Sequence, residues 1–339
     1  MLTSNRCPLA VVGFGLIGLH GPPAEGQLFV YEGFQYDNLG AELIGLPDDP
    51  GVGDTDATGL DGVWADASAS TGTVNDMFIK SGSLVFSDLQ TAGNHIGFSS
   101  NQNRDRYSRP LSASALAGIG SANEIWFSFL FEKLQNNFNA GEGGVVIGNQ
   151  VVANSEIVKN NNDGAAGGSG LVGFGIAPTG AGNDLTAYAW DGTTNVMVGD
   201  ATLSAPPANG NSNTDASNLG DVKLLVGHIA FNAGTGGTDQ FTFYNVTDDG
   251  SLDTGDLVQV ASTIEIDVDE SLLTTLNVTR QVNLNYDEIR IAGSLEEALG
   301  LAGGAIPGDT DNDGDIDDTD LGTSFSNYTG PLAPGTGGK

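Results

Sequence analysis

Hydrophobic and polar residues alternate in short runs along most of the chain, from Gln27 to about Ile291. Alternation with a period of two is typical of β-strands that have one buried face and one exposed face. Clusters of Gly, Asn, Asp and Ser separate the runs, and these residues favour turns. At least nine runs fit, the clearest being Leu28 to Phe34, Glu124 to Lys133, Leu185 to Trp190, Lys223 to Phe231, Gln240 to Val246 and Tyr286 to Ala292.

The connections between these runs are turn-rich loops such as "NAGTGGTD" rather than helical segments. Parallel strands need long crossover connections, usually helices, whereas antiparallel strands do not. We therefore predict an all-β fold of antiparallel sheets packed as a β-sandwich or jelly roll.

Charge narrows the range of partners. The chain has 43 acidic and 11 basic residues, a formal net charge of −32. Such an excess repels phosphate backbones and anionic lipid surfaces, and it attracts divalent cations. We therefore expect no nucleic-acid partner and no membrane insertion.

The N-terminal segment has the layout of a secretory signal peptide. Arg6 precedes an apolar run from Pro8 to Leu19, which is too short to span a bilayer, and cleavage would follow Ala24 or Gly26. The single cysteine, Cys7, would be removed with this leader. We expect a secreted or cell-surface protein without disulfides; the alternative is a buried N-terminal strand.

Several motifs along the chain carry a resemblance to a known domain family. The stretches "YEGFQY", "EIWFSFLFEK", "LLVGHIAFNAG" with "FTFYNV", and "YDEIRIAGSLEEAL" occur in this order. Together they resemble the laminin-G-like concanavalin A-type jelly roll of secreted bacterial proteins. The resemblance implies a lectin-like sandwich over residues 27–297, after a signal peptide at 1–26, but it implies no particular ligand.

The C-terminal region contains seven aspartates within twelve residues. They match the twelve-position calcium loop, in which alternate side chains supply oxygen ligands and a glycine at position 6 permits the sharp turn. Gly314 occupies that position. The predicted calcium ligands are Asp309, Asp311, Asp313, Asp315, Asp317 and Asp320. A solvated acidic tail is the alternative, but a tail would need neither this spacing nor the glycine.

The same stretch resembles one half of a type I dockerin repeat. Its position 12 is Asp320, and the following residues to Tyr328 have helical spacing. The predicted boundaries of this C-terminal region are a linker at 298–308, the half repeat at 309–330 and a flexible tail at 331–339. A dockerin uses two halves, so the resemblance implies a cohesin-like partner only if a second repeat exists.

A weaker version of the calcium pattern occurs in "NVTDDGSLDTGD". Its candidate positions are Asn245, Thr247, Asp249, Gly250, Asp253 and Asp256. Because the segment joins two predicted strands and Asp-Gly is an ordinary hairpin signal, we favour a plain turn.

A possible catalytic motif lies at Glu265, Asp267 and Glu270. It resembles the E-x-D-x-x-E pattern of laminarinase-like retaining glucanases, which implies a nucleophile, a tuning aspartate and an acid/base with carboxyls about 5–5.5 Å apart. On a regular strand Glu270 would point away from the other two, so the chemistry would need a bulge. We therefore expect a non-catalytic protein, with the glucanase as an alternative.

The tryptophans and histidines are the remaining candidate site residues. Sugar clefts use aromatic platforms, for which the chain offers Trp64, Trp126 and Trp190, and we expect Trp126 to lie in the core. His95 and His228 are isolated in sequence and are interpreted as structural.

An arginine cluster at Arg104, Arg106 and Arg109 is expected to pair with loop carboxylates, with an acidic glycan as the alternative. The leading hypothesis is a secreted carbohydrate- or surface-binding protein with a calcium module, and the third reading is an inert adhesion spacer.

Overall fold

The computed structural model describes residues 27–46, 57–66, 77–91, 93–98, 105–133, 143–149, 172–179, 184–193, 195–201, 222–247, 249–260, 262–280 and 284–301. Its strands are β1 (Leu28–Glu32), β2 (Ala65–Asp66), β3 (Met77–Ser81), β4 (Asn94–Phe98), β5 (Asp105–Pro110), β6 (Glu124–Lys133), β7 (Gly143–Gly148), β8 (Val172–Thr179), β9 (Asp184–Asp191), β10 (Asn195–Ala201), β11 (Val222–Ala230), β12 (Asp239–Val246), β13 (Leu257–Gln259), β14 (Ile264–Ile266), β15 (Thr275–Arg280) and β16 (Leu284–Ala292).

The helices in the described residues are short. They are α1 (Ala113–Ser121) and α2 (Leu295–Ala298), with 3₁₀ turns at Thr254–Asp256 and Glu270–Leu272. Ser112 caps α1, because its side chain accepts a hydrogen bond from the Ala115 N–H. Within the described part of the chain, no helix combines the length and apolar character needed to cross a membrane.

The strands form two antiparallel sheets. The nine-stranded sheet has the order β13, β12, β11, β6, β16, β4, β3, with β1 also pairing with β16 and β14 also pairing with β12. The seven-stranded sheet has the order β10, β9, β8, β7, β15, β5, β2. The predicted all-β antiparallel sandwich is confirmed.

The core lies between the sheets and follows the alternation seen in the sequence. On β6, Ile125, Phe127 and Phe129 are buried in the main apolar cluster. Phe174 of the seven-stranded sheet meets Phe241 of the nine-stranded sheet edge-on, with ring centroids 5.5 Å apart. Burying one such side chain contributes about 1.5–3 kcal/mol, so this inner layer dominates the folding free energy.

The outer face of the nine-stranded sheet is covered at one end. Leu84, Phe86 and Leu89 pack with Leu252 and with outward residues of β6 and β11 in a second apolar cluster. Trp126 of β6 and Tyr244 of β12 are partly buried and pack against this second cluster.

A buried polar cluster connects the two sheets. Arg109 Nη1 lies 2.8 Å from Glu32 Oε2 and 3.0 Å from the Tyr36 hydroxyl. Tyr36 donates its hydroxyl to Glu32 and accepts the indole N–H of Trp64. We call Glu32, Tyr36, Trp64 and Arg109 the buried cluster. Arg109 therefore pairs with a carboxylate as expected, although its partner lies in the core rather than in a loop.

Candidate functional site

The three tryptophans of the chain differ in exposure. Trp64 is 0% exposed and Trp190 is 2% exposed, and Trp190 stacks on Tyr188 with ring centroids 5.6 Å apart. Trp126 is partly exposed, because its neighbours Ile125 and Phe127 take the inward positions of β6. Trp126 is not in the core between the sheets, where it was expected, because alternation on β6 turns it to the outer face; there it packs, partly buried, against the second apolar cluster.

Trp126 belongs to an aromatic group on that outer face. It is the register partner of His228 on β11, and the two rings stack with centroids 3.9 Å apart and planes 12° apart. Tyr244 on β12 lies 6.0 Å from the Trp126 ring at 29°. We call Trp126, His228 and Tyr244 the aromatic platform. All three side chains are partly exposed.

The carboxylate of Glu124 is hydrogen-bonded to two members of this platform. His228 Nε2 lies 3.1 Å from Glu124 Oε2, and the Trp126 indole N–H donates to Glu124 Oε1 at 3.5 Å. Since a carboxylate only accepts, the neutral imidazole bonds it through a protonated Nε2. The side chain of Glu124 is 50% exposed, so its oxygens retain capacity for an external donor.

The environment of His228 changes its protonation. Desolvation by burial lowers the pKa of His228 below its ordinary value of 6.5, while the hydrogen bond and the charge of Glu124 act in the opposite direction. The net direction is downward. His228 is therefore mainly uncharged near neutral pH.

Glu124 begins a row that crosses four neighbouring strands. Register pairs place it beside Ala230, then Gln240, then Glu265. Gln240 donates its Nε2 to Glu265 Oε1 at 3.2 Å, and the Thr235 N–H donates to Glu265 Oε2 at 3.4 Å. Ala230 contributes only a methyl group between the longer side chains of Glu124 and Gln240. We call this row, together with the platform, the trough.

The candidate catalytic residues lie partly in this region. Glu265 and Asp267 are exposed, while Ile264 and Ile266 between and beside them are buried. They share the outer face, as predicted from strand alternation. Glu265 therefore belongs to the trough through its bond to Gln240.

Glu270 has a different setting from Glu265. It opens the 3₁₀ turn Glu270–Leu272, which Asp269 caps by accepting the Ser271 N–H. The Glu270 carboxylate accepts a bond from Asn232 at 3.4 Å. The two glutamates thus bond different partners, and the glucanase assignment stays a prediction.

The weaker calcium pattern forms the connection between β12 and β13. Asp249 accepts the Ser251 N–H, and Asp253 caps the turn Thr254–Asp256 in a reciprocal capping box with Asp256. In the ranges that the structure describes, no group of three or more His, Cys, Asp or Glu side chains is placed to hold a metal ion. The described part of the segment is a loop that contains a capped 3₁₀ turn.

The stronger calcium pattern lies elsewhere. The aspartates from Asp309 to Asp320, the leader at 1–26 and Arg104 lie outside the described residues, as does all of the chain after Leu301. His95 is described, and its Nδ1 lies 2.5 Å from the carbonyl oxygen of Gly82, which agrees with the structural interpretation.

A second group of polar side chains, on the outer side of the seven-stranded sheet, was not predicted from the sequence. Ser108 donates to Asn277 Oδ1 at 2.6 Å, Asn277 donates to Thr275 Oγ1 at 2.9 Å, and Thr275 donates to the carbonyl oxygen of Gly148 at 2.7 Å. These side chains are buried, with exposures of 1–5%. Their polar atoms are committed to one another, so we do not assign them a binding role.

The residues of the trough that sequence reasoning missed are Glu124, Gln240 and Tyr244. For Glu124 a signal existed in β6, where Glu124, Trp126, Ser128 and Glu132 lie on the same set of alternate positions. Three polar residues on one set of positions mark the outward face. No local signal pairs that face with His228, which is 104 residues away in sequence.

No known protein family matches the sequence, and no curated protein matches it. Solved structures share a distant likeness. The globular domain of T. cruzi calreticulin has a TM-score of 0.42 and 11% identity, covering 88% of this chain and 99% of that chain.

Domain 4 of AbnA, an extracellular arabinanase of Geobacillus stearothermophilus in complex with arabinotriose, has a TM-score of 0.42 and 10% identity, covering 82% of this chain and 99% of that chain. The Ca²⁺/Man3GlcNAc-bound luminal domain of VIP36 has a TM-score of 0.31 and 8% identity, covering 60% of this chain and 78% of that chain. At this distance we draw no functional conclusion from any of them.

Proposed function

We propose that the β-sandwich binds polysaccharide non-covalently through the trough. The observation that carries the proposal is the partly exposed stack of Trp126 and His228 beside the half-exposed carboxylate of Glu124. Ligand sites typically combine apolar and aromatic surface with a few placed polar groups. Pyranose rings suit such a surface, because they have apolar C–H faces and a rim of hydroxyls.

The aromatic and the polar side chains of the trough would contact different parts of a bound sugar. Aromatic rings are amphipathic and offer large contact area at low conformational cost, so the platform would hold the C–H faces of a sugar. Glu124 and Glu265 accept hydrogen bonds, and Gln240 can both donate and accept. Hydroxyl groups of a bound sugar would complete those bonds in place of water.

Aromatic surfaces also bind the bases of single-stranded nucleic acids. The electrostatics oppose this alternative, because the trough carries two outward glutamates and the chain has a net charge of −32. A phosphate backbone would be repelled.

Retention on insoluble polysaccharides tests the proposal. We expect the protein to be retained by at least one of cellulose, chitin, chitosan and β-1,3-glucan, and Trp126→Ala to be retained much less. Phe78→Ala is the matched control, since Phe78 is a partly exposed aromatic on the outer face of the same sheet beside Lys80.

Three outcomes of this assay would count against the proposal. Equal loss in both variants would show that binding does not depend on the trough. Retention by none of the four polysaccharides would favour the inert spacer. Release of reducing sugar that disappears in Glu265→Gln would favour the glucanase.

We propose in addition that the acidic C-terminal module binds calcium. The support is the spacing of Asp309, Asp311, Asp313, Gly314 and Asp320, which matches the ligand positions of a calcium loop. A solitary extracellular site would have a Kd on the order of 10⁻⁴ to 10⁻³ M. We further propose that the protein is secreted, on the support of the leader-like segment around Arg6.

Calorimetric titration with CaCl₂ tests the calcium proposal. The full-length protein should give a saturable binding heat that is lost in the double variant Asp309→Ala and Asp313→Ala. The matched double variant Asp249→Ala and Asp253→Ala should retain it, because these residues form a plain turn. No saturable heat in the unaltered protein would rule the module out as a calcium site.

A further inference from the structure

We propose that the trough prefers saccharides that carry protonated amino groups, with Glu124 as the residue that confers this preference. The inference rests on the polysaccharide binding proposed above and adds the class of ligand. It follows from the charge, the aromatic surface and the protonation state of the groups that line the trough.

Two carboxylates stand at opposite ends of the trough. Glu124 on β6 and Glu265 on β14 end the row that also contains Ala230 and Gln240. Three interstrand spacings separate them, a distance of roughly 14 Å at about 4.8 Å per strand. An extended oligosaccharide lying across the strands would therefore meet a negative charge near each end.

Neither carboxylate is paired with Lys or Arg among the ion pairs of the described residues. Those pairs join Arg109 with Glu32, Arg290 with Glu288, and His228 with Glu124. Glu265 bonds an amide and a backbone N–H, which do not neutralise its charge. A cationic ligand would supply the missing positive charge.

His228 does not supply it at neutral pH. The His228 ring stacks on Trp126 and bonds Glu124, both on β6, and its register partner on β12 is Thr242, which is uncharged. Arg290, one row along on β16, is buried and bonded to Glu288. The lowered pKa of His228 is consistent with this setting, so the imidazole brings no positive charge to Glu124 at neutral pH.

The aromatic rings add to the same preference. An ammonium group over the face of Trp or Tyr gains about 0.5–1 kcal/mol at an exposed site. The trough therefore combines cation–π and charge attraction for an amine, whereas an acetylated amine would keep only stacking and hydrogen bonds. Uronic acids would be disfavoured by both glutamates.

Calorimetry with matched oligosaccharides tests the inference on the full-length protein. The probes are hexamers of β-1,4-linked glucosamine and of N-acetylglucosamine, at low and at high NaCl. At low salt we expect the glucosamine hexamer to bind about tenfold more tightly, from one exposed charge pair and one cation–π contact. High salt should reduce this ratio, because exposed charges are screened.

Variants assign the preference to one residue. Glu124→Gln should reduce the ratio to about threefold or less, since removal of one exposed charge pair leaves the cation–π contact. Its affinity for the acetylated hexamer should change little. The matched control is Glu132→Gln, because Glu132 is an outward glutamate on the same strand that bonds Asn285 away from the trough.

The outcomes separate this inference from the proposed function. Equal affinity for both hexamers, with both lost in Trp126→Ala, would overturn the amine preference and leave the saccharide site in place. Binding of neither hexamer, or of any polysaccharide in the retention assay, would overturn both. An undiminished preference in Glu124→Gln would overturn the role of Glu124.

Discussion

Two clusters of this protein are built from the same residue types, a glutamate, a tryptophan, a tyrosine and a basic side chain. The buried cluster contains Glu32, Trp64, Tyr36 and Arg109, which are 0–4% exposed. The exposed cluster is Glu124 with the aromatic platform. It lies on the outer face of the nine-stranded sheet, with Glu124 50% exposed and His228 20% exposed.

The clusters differ in how far their polar groups are satisfied. Glu32 Oε2 accepts bonds from Arg109 and from Tyr36, and the Tyr36 hydroxyl in turn accepts from Trp64 and Arg109. These bonds hold one arrangement of the core and leave nothing for a ligand. Glu124 accepts one bond at each oxygen, from His228 and from Trp126, and its side chain is half exposed. The same chemistry thus specifies structure when it is buried and saturated, and it is available for binding when it is not.

The largest expected effect comes from breaking the buried cluster. Arg109→Met leaves the Glu32 carboxylate uncompensated in the core, which should lower the free energy of unfolding by about 3–5 kcal/mol. Urea denaturation measures it. The matched surface change Glu124→Gln should stay within about 0.5 kcal/mol. Similar shifts for both variants would mean that the two clusters do not differ in their structural role.

Changing the tryptophan of each cluster should affect a different property, binding for the exposed cluster and stability for the buried cluster. Trp126→Ala should weaken saccharide binding by about 1–2 kcal/mol, a factor of five to thirty, because stacking area is lost at the centre of the site. Trp64→Phe removes the indole N–H that Tyr36 accepts and should cost about 1–3 kcal/mol of stability with binding unchanged. Calorimetry and urea denaturation together measure both. Loss of binding in Trp64→Phe without loss of stability would contradict the division.

The smallest expected effect is the pH dependence of His228. Its pKa is lowered in the folded state, so the unfolded chain takes up this proton more readily as the pH falls below 6.5. Stability should therefore decrease as the pH falls from 6.5 and level off below the folded-state pKa. Urea denaturation across this window should show a weaker slope in His228→Asn. An identical slope in the variant would mean that burial does not disfavour the imidazolium.

The fold was predictable because it depends on local periodicity. β6 has the bounds predicted from alternation, Glu124–Lys133; β11 begins and ends one residue before the predicted run, and β12 begins one residue before it. β15 was missed, since its outward residues Thr275, Asn277 and Thr279 are polar although they are buried. Nothing local in "LVQVASTIEIDV" marks its division into β13 and β14.

The candidate site was less predictable, because it depends on pairing between distant strands. Alternation separates two faces of β6 but does not state which partners each face receives. Glu124 meets His228, and Gln240 meets Glu265, only because β11 and β12 lie between β6 and β14. The motif at Glu265 drew attention to one strand of the proposed site for a different reason, since it suggested catalysis rather than binding.

The central claim is that the exposed cluster contacts saccharide while the buried cluster does not. Acrylamide quenching of tryptophan fluorescence tests it most directly, because Trp64 and Trp190 are 0% and 2% exposed and quenching therefore reports on Trp126. We predict that saturating glucosamine hexamer lowers the quenching constant of the unaltered protein. Quenching that is unchanged while calorimetry records binding of the same hexamer would contradict the account.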